Sequence, residues 1–459
     1  MLYIAANVRA QRDDEIKVID AFCENLSKES LVNRVLKESP DVVGLNCSTH
    51  TFMDSINALK DIREKLPDAT LILGGYHATF AAERILKEYP CVDYIIKGEA
   101  ENALIQLLQC IENRKKPFNV EGISFLDNGK YINNELALIK DLDSLPFPAR
   151  DLIQAVEYGY FHRGIRLTIG KFTAINTARG CPFKCSYCSC AAFSQRKWRH
   201  RSAENVVDEL EILFNQGYEC CVVVDDNFTF KPKRVEKICD LIRSRKIKMQ
   251  FYCEGRADNA TYPLMKKMKR AGFNVIYFGA ENAMQHVLDY YNKTITPEQT
   301  KKAVENAKKA GMNVVTSFIF GAPVETREDI LKTIDFIKQI RPHAVQINIL
   351  ECLLGTPIWD DLVENGFVAS DDWKTHHRCY EYFENGLSQD ELENLVDQGY
   401  AAYVNGWKNI AGLKDFFRTL MSNKTARKII FHNIFNPQLK TRISQEMKHF
   451  EDDYRKHLY

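Results

Sequence analysis

Short runs of Val, Ile, Leu and Phe recur along the chain, separated by longer stretches in which apolar residues return every three or four positions. In the second half these runs are "FTAIN" (172–176), "CCVVVDD" (220–226), "MQFYC" (249–253), "NVIYFGA" (274–280), "NVVTSFIFGAP" (313–323) and "HAVQINIL" (343–350). Runs this short, apolar on both faces, predict buried parallel strands, and the helical period between them predicts helices that cover the sheet. Start and stop signals agree. Thr296, Pro297 and Gln299 form a capping box with proline at the first helical position, and Gly311 ends that helix; Ser202 and Thr326 open two others. Six βα units in series predict a partial (β/α)6 barrel, with functional loops at the carboxyl ends of the strands.

The first part of the chain alternates in the same way. "IKVID" (16–20), "PDVVGLNC" (40–47), "ATLILGG" (69–75) and "VDYIIKGE" (92–99) predict strands of a doubly wound parallel α/β sheet. Ligand loops of such a sheet also lie at strand carboxyl ends, here "NCSTHT", "GGYHAT" and "KGEAE". Gly74 and Gly75 permit close approach of backbone to a ligand, and Ser48 and Thr49 can bond a buried polar tail. Residues 111–150 carry two prolines in "LDSLPFPARDLI" and read as a connection. The expected division is 1–125 for the first domain, 126–165 for the connection, 166–365 for the barrel and 366–459 for a helical region. That last region, aromatic and basic from about residue 390, reads as an amphipathic helical cap; the competing reading is a patch for a lipid-like substrate or a membrane surface.

Charge narrows the function little. With 62 basic and 61 acidic residues in 459, no global field points to nucleic acid. The local run "RKWRHRS" (196–202) is too short a basic footprint, and its Trp and Arg are expected to pack beside the preceding loop. No apolar run is long enough for a membrane span, and the start lacks the basic leader of a signal peptide, so the expectation is a cytoplasmic protein.

Cysteine usage changes the picture more. Of 14 cysteines, most are expected to be small buried hydrophobes, Cys47 and Cys239 among them. The stretch "NTARGCPFKCSYCSC" (176–190) is different, with Cys181, Cys185 and Cys188 in a CxxxCxxC spacing and Cys190 just beyond. A structural zinc site needs a second knuckle, which is not seen. A redox dithiol needs only two thiols. Three thiolates on one tight loop can hold three irons of a 4Fe-4S cluster and leave the fourth open; Cys190 as a fourth ligand would close it for electron transfer.

"CPFKCSYC" resembles the CxxxCxΦC loop of radical S-adenosylmethionine enzymes, with Tyr187 as the aromatic Φ. The resemblance implies that the open iron chelates S-adenosylmethionine and that reduction releases a 5′-deoxyadenosyl radical. It implies cofactor contacts at the other strand ends: Asp226 and Asn227 at the methionyl amine, Arg256 at the carboxylate, and Glu281 at the ribose. "GAPVET", with Gly321, is similar to the family's GxPxET turn near adenine. The first domain resembles the cobalamin-binding domain that precedes the barrel in cobalamin-dependent members, on "PDVVGLNCSTHTF", "LILGGYHATF" and "VDYIIKGEAE". Ser48, Thr49, Gly74, Gly75 and His77 are its candidate contacts. No DxHxxG motif is present, which implies a lower cobalt face without histidine; His50 and His77 read as loop histidines. "MLYIAANVRAQRDDEIKVID" is similar to the family's first helix running into its second strand, so the first strand is missing.

These resemblances imply a radical enzyme using a 4Fe-4S cluster, S-adenosylmethionine and cobalamin, fed by an electron donor such as flavodoxin or ferredoxin, and methylating an unactivated carbon of a small or lipid-like substrate. Radical cyclisation, oxidation or carbon–carbon coupling is the alternative within the family. A cobalamin-binding sensor or electron-transfer protein is the alternative outside it. Glu351 and Cys352 at the barrel mouth could relay a radical, with plain packing as the competing reading.

Overall fold

The computed structural model describes residues 1–408 except 137, 154–157, 159–160, 163–164, 167–169, 370–371, 376 and 379–386. The expected tail beyond residue 408 lies outside the described residues.

The amino-terminal part runs α1 (Leu2–Gln11), α2 (Lys28–Glu38), β1 (Val42–Asn46), α3 (Phe52–Lys65), β2 (Thr70–Gly74), α4 (Tyr76–Phe80), α5 (Ala82–Glu88), β3 (Tyr94–Ile96), α6 (Ala100–Glu112), β4 (Ile123–Asp127) and β5 (Lys130–Asn133). β1, β2 and β3 are parallel, and β4 and β5 continue the sheet as an antiparallel hairpin in the order β1-β2-β3-β4-β5. Alternation along the strands sends Leu71, Leu73 and Ile95 to one face, with Phe52, Ile56 and Ile85, and Ile72 and Ile96 to the other, with Leu107. Helices therefore cover both faces, as expected of an α/β domain.

Two expectations are corrected here. "IKVID" is not a strand: Ile16 and Val18 pack on α1 beside Ala149 and Leu152, which satisfies their alternation without a sheet. Among the described residues the parallel part of the sheet is therefore β1, β2 and β3, with no strand at 16–20. Residues 123–133, expected as domain end and connection, form the hairpin, with Asn128 and Gly129 both at positive φ (49° and 79°) in its turn.

The barrel runs β6 (Phe172–Ile175), α7 (Ser189–Phe193), α8 (Ala203–Asn215), β7 (Cys220–Val223), α9 (Pro232–Ser244), β8 (Gln250–Gly255), α10 (Tyr262–Arg270), β9 (Phe273–Glu281), α11 (Gln285–Tyr290), α12 (Pro297–Lys309), β10 (Asn313–Phe320), α13 (Arg327–Ile340) and β11 (Ala344–Ile349). All six predicted strands form one parallel sheet, β11-β10-β9-β8-β7-β6. The Ser202 cap, the Thr296 capping box and the Thr326 capping box are all present. Then come α14 (Pro357–Glu364) and α15 (Gln389–Lys408). Leu392 and Leu395 of α15 enter the barrel core, and the Tyr400 hydroxyl donates to the Ile347 carbonyl at 3.3 Å. In its described part the tail is the packed helical cap. No described helix is long and apolar enough to cross a membrane.

The two halves share a core. Val287, Tyr291, Ala322 and Leu350 from the barrel side pack in the same cluster as Phe52, Leu59 and Ile85 from the first domain.

Candidate functional site

Because the six strands are parallel, the residues that follow them gather on one rim. After β6 the chain enters the cysteine loop. Asp225, just past β7, is buried and accepts from the Thr177 amide at 2.5 Å, the Ala178 amide at 3.0 Å and the Thr177 hydroxyl. Burial pushes its carboxyl up to about 6 against those bonds. Asp225 is thus a strut at the mouth of the loop. Asp226 accepts from the Gly180 amide at 2.8 Å. Gly180 has φ +85°, and a Cβ there would lie 2.4 Å from the Lys197 carbonyl, so the turn before Cys181 needs glycine.

The three predicted ligands share this loop, and Cys188 caps α7. Cys185 is buried, while Cys181 and Cys188 are partly exposed. Burial lifts the Cys181 thiol to about 11. The neighbouring Cys190 brings the Cys188 thiol down to about 7, while Cys190, beside Cys188 and Asp226, is itself held protonated. No three His, Cys, Asp or Glu side chains among the described residues converge as they would on a single ion. Thiols that each bind a different iron of a cluster have no need to. Three uncrossed thiols on one loop, at the end of the first barrel strand, fit a cluster with one open corner.

The loop is fastened on its far side too. The Ser186 amide donates to the Tyr291 carbonyl at 2.9 Å, and the Asn292 amide group to the Lys184 carbonyl at 3.0 Å. Arg256 lies over the Phe183 ring at 3.6 Å and is braced by Asp258 and Thr294, with Nη1 bonding no described residue. Asn227 is 1% exposed, and its Nδ2 has no partner among the described residues. An amide nitrogen and a guanidinium are donors, so together they suit a carboxylate, and Asn227 can meet an amine only through Oδ1. Those uncommitted donors fit the carboxylate of S-adenosylmethionine.

Glu281 ends β9 at φ +61°. Its Oε1 accepts from Lys293 at 2.7 Å and from the Tyr187 hydroxyl at 2.9 Å, and Oε2 from Ser317 at 3.3 Å. The structure therefore joins Tyr187 to Glu281 and adds Lys293, which the sequence did not flag. Gly321, at φ +91°, donates its amide to Glu325 at 2.6 Å, and Glu325 also takes the Asn282 amide group at 2.6 Å. Burial raises the Glu325 carboxyl to about 7. That carboxyl group shapes the turn from inside.

In the first domain the candidates separate. Ser48 is exposed and its amide donates to the Thr51 hydroxyl at 3.0 Å; Thr49 faces His77 at 3.2 Å. Gly74 is ordinary strand backbone, but a Cβ at Gly75 (φ +101°) would lie 2.3 Å from the Cys47 carbonyl. Close packing against the end of β1 thus requires glycine at this position. His77 is buried between Phe52 and Trp373, and burial lowers it to about 4. In this domain sequence reasoning missed Tyr76, which stacks on Phe193 of α7 at 4.2 Å and so joins the first domain to the helix that follows the cysteine loop.

"KGEAE" also proves to be a docking element. Glu99 accepts from Arg199 at 2.6 Å and Glu101 from Arg179 at 2.7 Å, while Arg201 is buried on Glu209. The basic run 196–202 thus spends two of its arginines inside the protein, and Trp198 packs on Phe230. Glu351 pairs with His50 at 3.0 Å across the domains, and Cys352 is buried.

Comparison with known proteins agrees with this layout. The radical SAM superfamily model matches residues 175–337, and the B12 binding domain model matches residues 1–108. The chain is 31% identical to an uncharacterized methyltransferase of Pyrococcus horikoshii, over 91% of this chain and 89% of that protein. It is 30% identical to the anaerobic magnesium-protoporphyrin IX monomethyl ester cyclase of Cereibacter sphaeroides, over 78% of this chain and 59% of that protein. The structure of the radical S-adenosylmethionine methyltransferase TsrM from Kitasatospora setae, with cobalamin and cluster bound, matches with a TM-score of 0.70 at 16% identity, over 87% of this chain and 85% of that one.

Proposed function

We propose that this protein methylates an unactivated carbon of a small organic substrate, from the premise that the chain belongs to the radical S-adenosylmethionine superfamily, among members with a cobalamin-binding domain ahead of the barrel. When bound, the cluster, S-adenosylmethionine and cobalamin supply an electron, a hydrogen-abstracting adenosyl radical and a transferable methyl group. The protein holds and aims them. Cys181, Cys185 and Cys188 would hold the cluster. Arg256 and the Asn227 amide would take the methionyl carboxylate, a charge-assisted contact. Asp226 would steady the loop through Gly180, and Glu281 would offer Oε2 to a ribose hydroxyl. The loops around Ser48 and Tyr76 would border the cobalamin, with no histidine offered to its lower face.

The observation that carries this reading is the unpaired CxxxCxxC loop on the carboxyl rim of a parallel barrel, with Tyr76 of the other cofactor's domain stacked on Phe193 of the helix that follows it. Methylation is favoured by similarity to a methyltransferase across nearly the whole of both chains. The cyclase relative supports a second reading, radical ring closure without methyl transfer, and it exceeds this chain in length. A low-potential donor such as flavodoxin or ferredoxin, in the cytoplasm, would feed either reaction. Anaerobic reconstitution with reductant and product analysis tests the proposal. 5′-Deoxyadenosine together with S-adenosylhomocysteine is expected; deoxyadenosine alone would transfer the assignment to the second reading, and absence of both would end it.

A further inference from the structure

Lys293 stands in the turn after α11, 9% exposed. An ammonium that deep needs partners, and it has two: Glu281 at 2.7 Å and the Tyr187 hydroxyl at 3.2 Å. Tyr187 lies between Cys185 and Cys188 in the chain, so the cation is tied directly to the cysteine loop. Its neighbours are tied there as well. Tyr290 and Tyr291 accept from Ser186, and Asn292 donates to Lys184, so residues 290–293 run along both sides of Cys185. The pair is sealed in. A Cβ on Gly279 would lie 2.3 Å from Glu281 Oε1 and 2.9 Å from Lys293 Nζ. The backbone bears a cost for it, since Glu281 sits at φ +61° where the pairing register of β9 on β10 shifts.

A buried ion pair is weak as a stabilising device, because apolar residues of similar volume often serve as well. A strained carboxylate and a sealed ammonium beside a metal loop call for another purpose. We propose that Lys293 is a positioning residue of the cluster site: it orients Glu281 and Tyr187, and its fixed positive charge beside the cysteine loop raises the reduction potential of the bound cluster. The inference rests on the radical S-adenosylmethionine reading. One electron arrives from an external low-potential donor of the flavodoxin or ferredoxin class, and a nearby cation favours the state that has received it.

The test is a redox titration of the reconstituted protein followed by electron paramagnetic resonance, without S-adenosylmethionine, on wild type, Lys293→Met, Lys293→Arg and Glu281→Gln. Lys293→Met is expected to shift the reduction equilibrium at least tenfold toward the oxidised cluster, a midpoint about 59 mV more negative for one electron. Lys293→Arg is expected to stay within about threefold of wild type, since it keeps the charge. Glu281→Gln leaves the cation uncompensated and is expected to move the midpoint the opposite way. A purely structural pair would shift both charge variants in one direction or neither, and that outcome overturns the proposal. If Lys293→Met takes up no cluster, Glu281→Gln decides, and an unchanged or lowered midpoint there overturns it. A wild-type protein that binds no cluster would instead fail at the underlying reading.

Discussion

Asp225 offers the sharpest test of how the cysteine loop is held. Its carboxylate satisfies two backbone amides and one hydroxyl at Thr177 and Ala178, three residues before Cys181 begins. In Asp225→Ala the Thr177 hydroxyl can turn elsewhere, but the two amides stay buried without acceptors. At roughly 1–3 kcal/mol for each group, the local loss is about 4 kcal/mol, or on the order of 1,000-fold in the opening equilibrium. Asp225→Asn keeps Oδ1 for both amides and is expected to lose less than about 1 kcal/mol. The pH dependence has a definite sign. A carboxyl raised to about 6 in the folded protein binds its proton more tightly there than in the unfolded chain. Its contribution therefore favours folding most below about pH 4, declines as pH rises to about 6, and is level above; the decline is about 3 kcal/mol. Asparagine does not titrate, so the variant should gain on wild type across that window. Hydrogen exchange at residues 177–178, compared at matched pH, measures both effects. Equal loss of protection in the alanine and asparagine variants, or none in either, would refute the account.

Three further outcomes follow from the same geometry. Gly75→Ala combines a forbidden φ with a collision at Cys47 and should cost about 4 kcal/mol, seen as a lower melting temperature of the apoprotein; an unchanged melt would contradict the packing argument. Replacing Glu99 and Glu101 together by Gln strands Arg179 and Arg199, and limited proteolysis around residues 134–150 should quicken several-fold, whereas equal cleavage rates would show that the arginines need no counterions. Glu351 raises the His50 imidazole, so this half-exposed contact stabilises below His50's ordinary range and is lost as pH rises through the raised value. It is worth under ~1 kcal/mol; Glu351→Gln should reduce exchange protection of residues 48–52 at pH 6 and leave it alone at pH 8.5, and a loss of the same size at both would exclude the ion pair.

Much of the architecture was legible because a strand buried on both faces has few other sequences open to it. The six barrel runs and the three capping threonines and serines are of this kind. "IKVID" was misread because Ile16 and Val18 are satisfied equally by a sheet or by the surface of α1, and alternation does not distinguish them. The β4–β5 hairpin was overlooked although "DNGK" carries a strong turn signal, with Asn128 and Gly129 both left-handed. The site was half legible. Cys181, Cys185 and Cys188 announce themselves by spacing, and the strand-end residues by position. Lys293, Tyr76 and Glu325 act through partners distant in sequence or, for Glu325, through a turn whose interior the motif does not display. What packs around Gly75 and His77, the Cys47 carbonyl for one and the Phe52 and Trp373 rings for the other, comes from distant parts of the chain that neither loop motif displays.

The docking of Glu99 and Glu101 onto Arg179 and Arg199 bears on how such enzymes can be recombined. Those arginines flank the cysteine loop on either side, at positions 179 and 199. A chimera that exchanged the leading domain for another would import a foreign surface next to the loop, even with every thiol preserved. Grafts should therefore carry residues 97–101 and 176–201 as one unit, and natural exchange of leading domains should have been constrained to partners bearing matching acids.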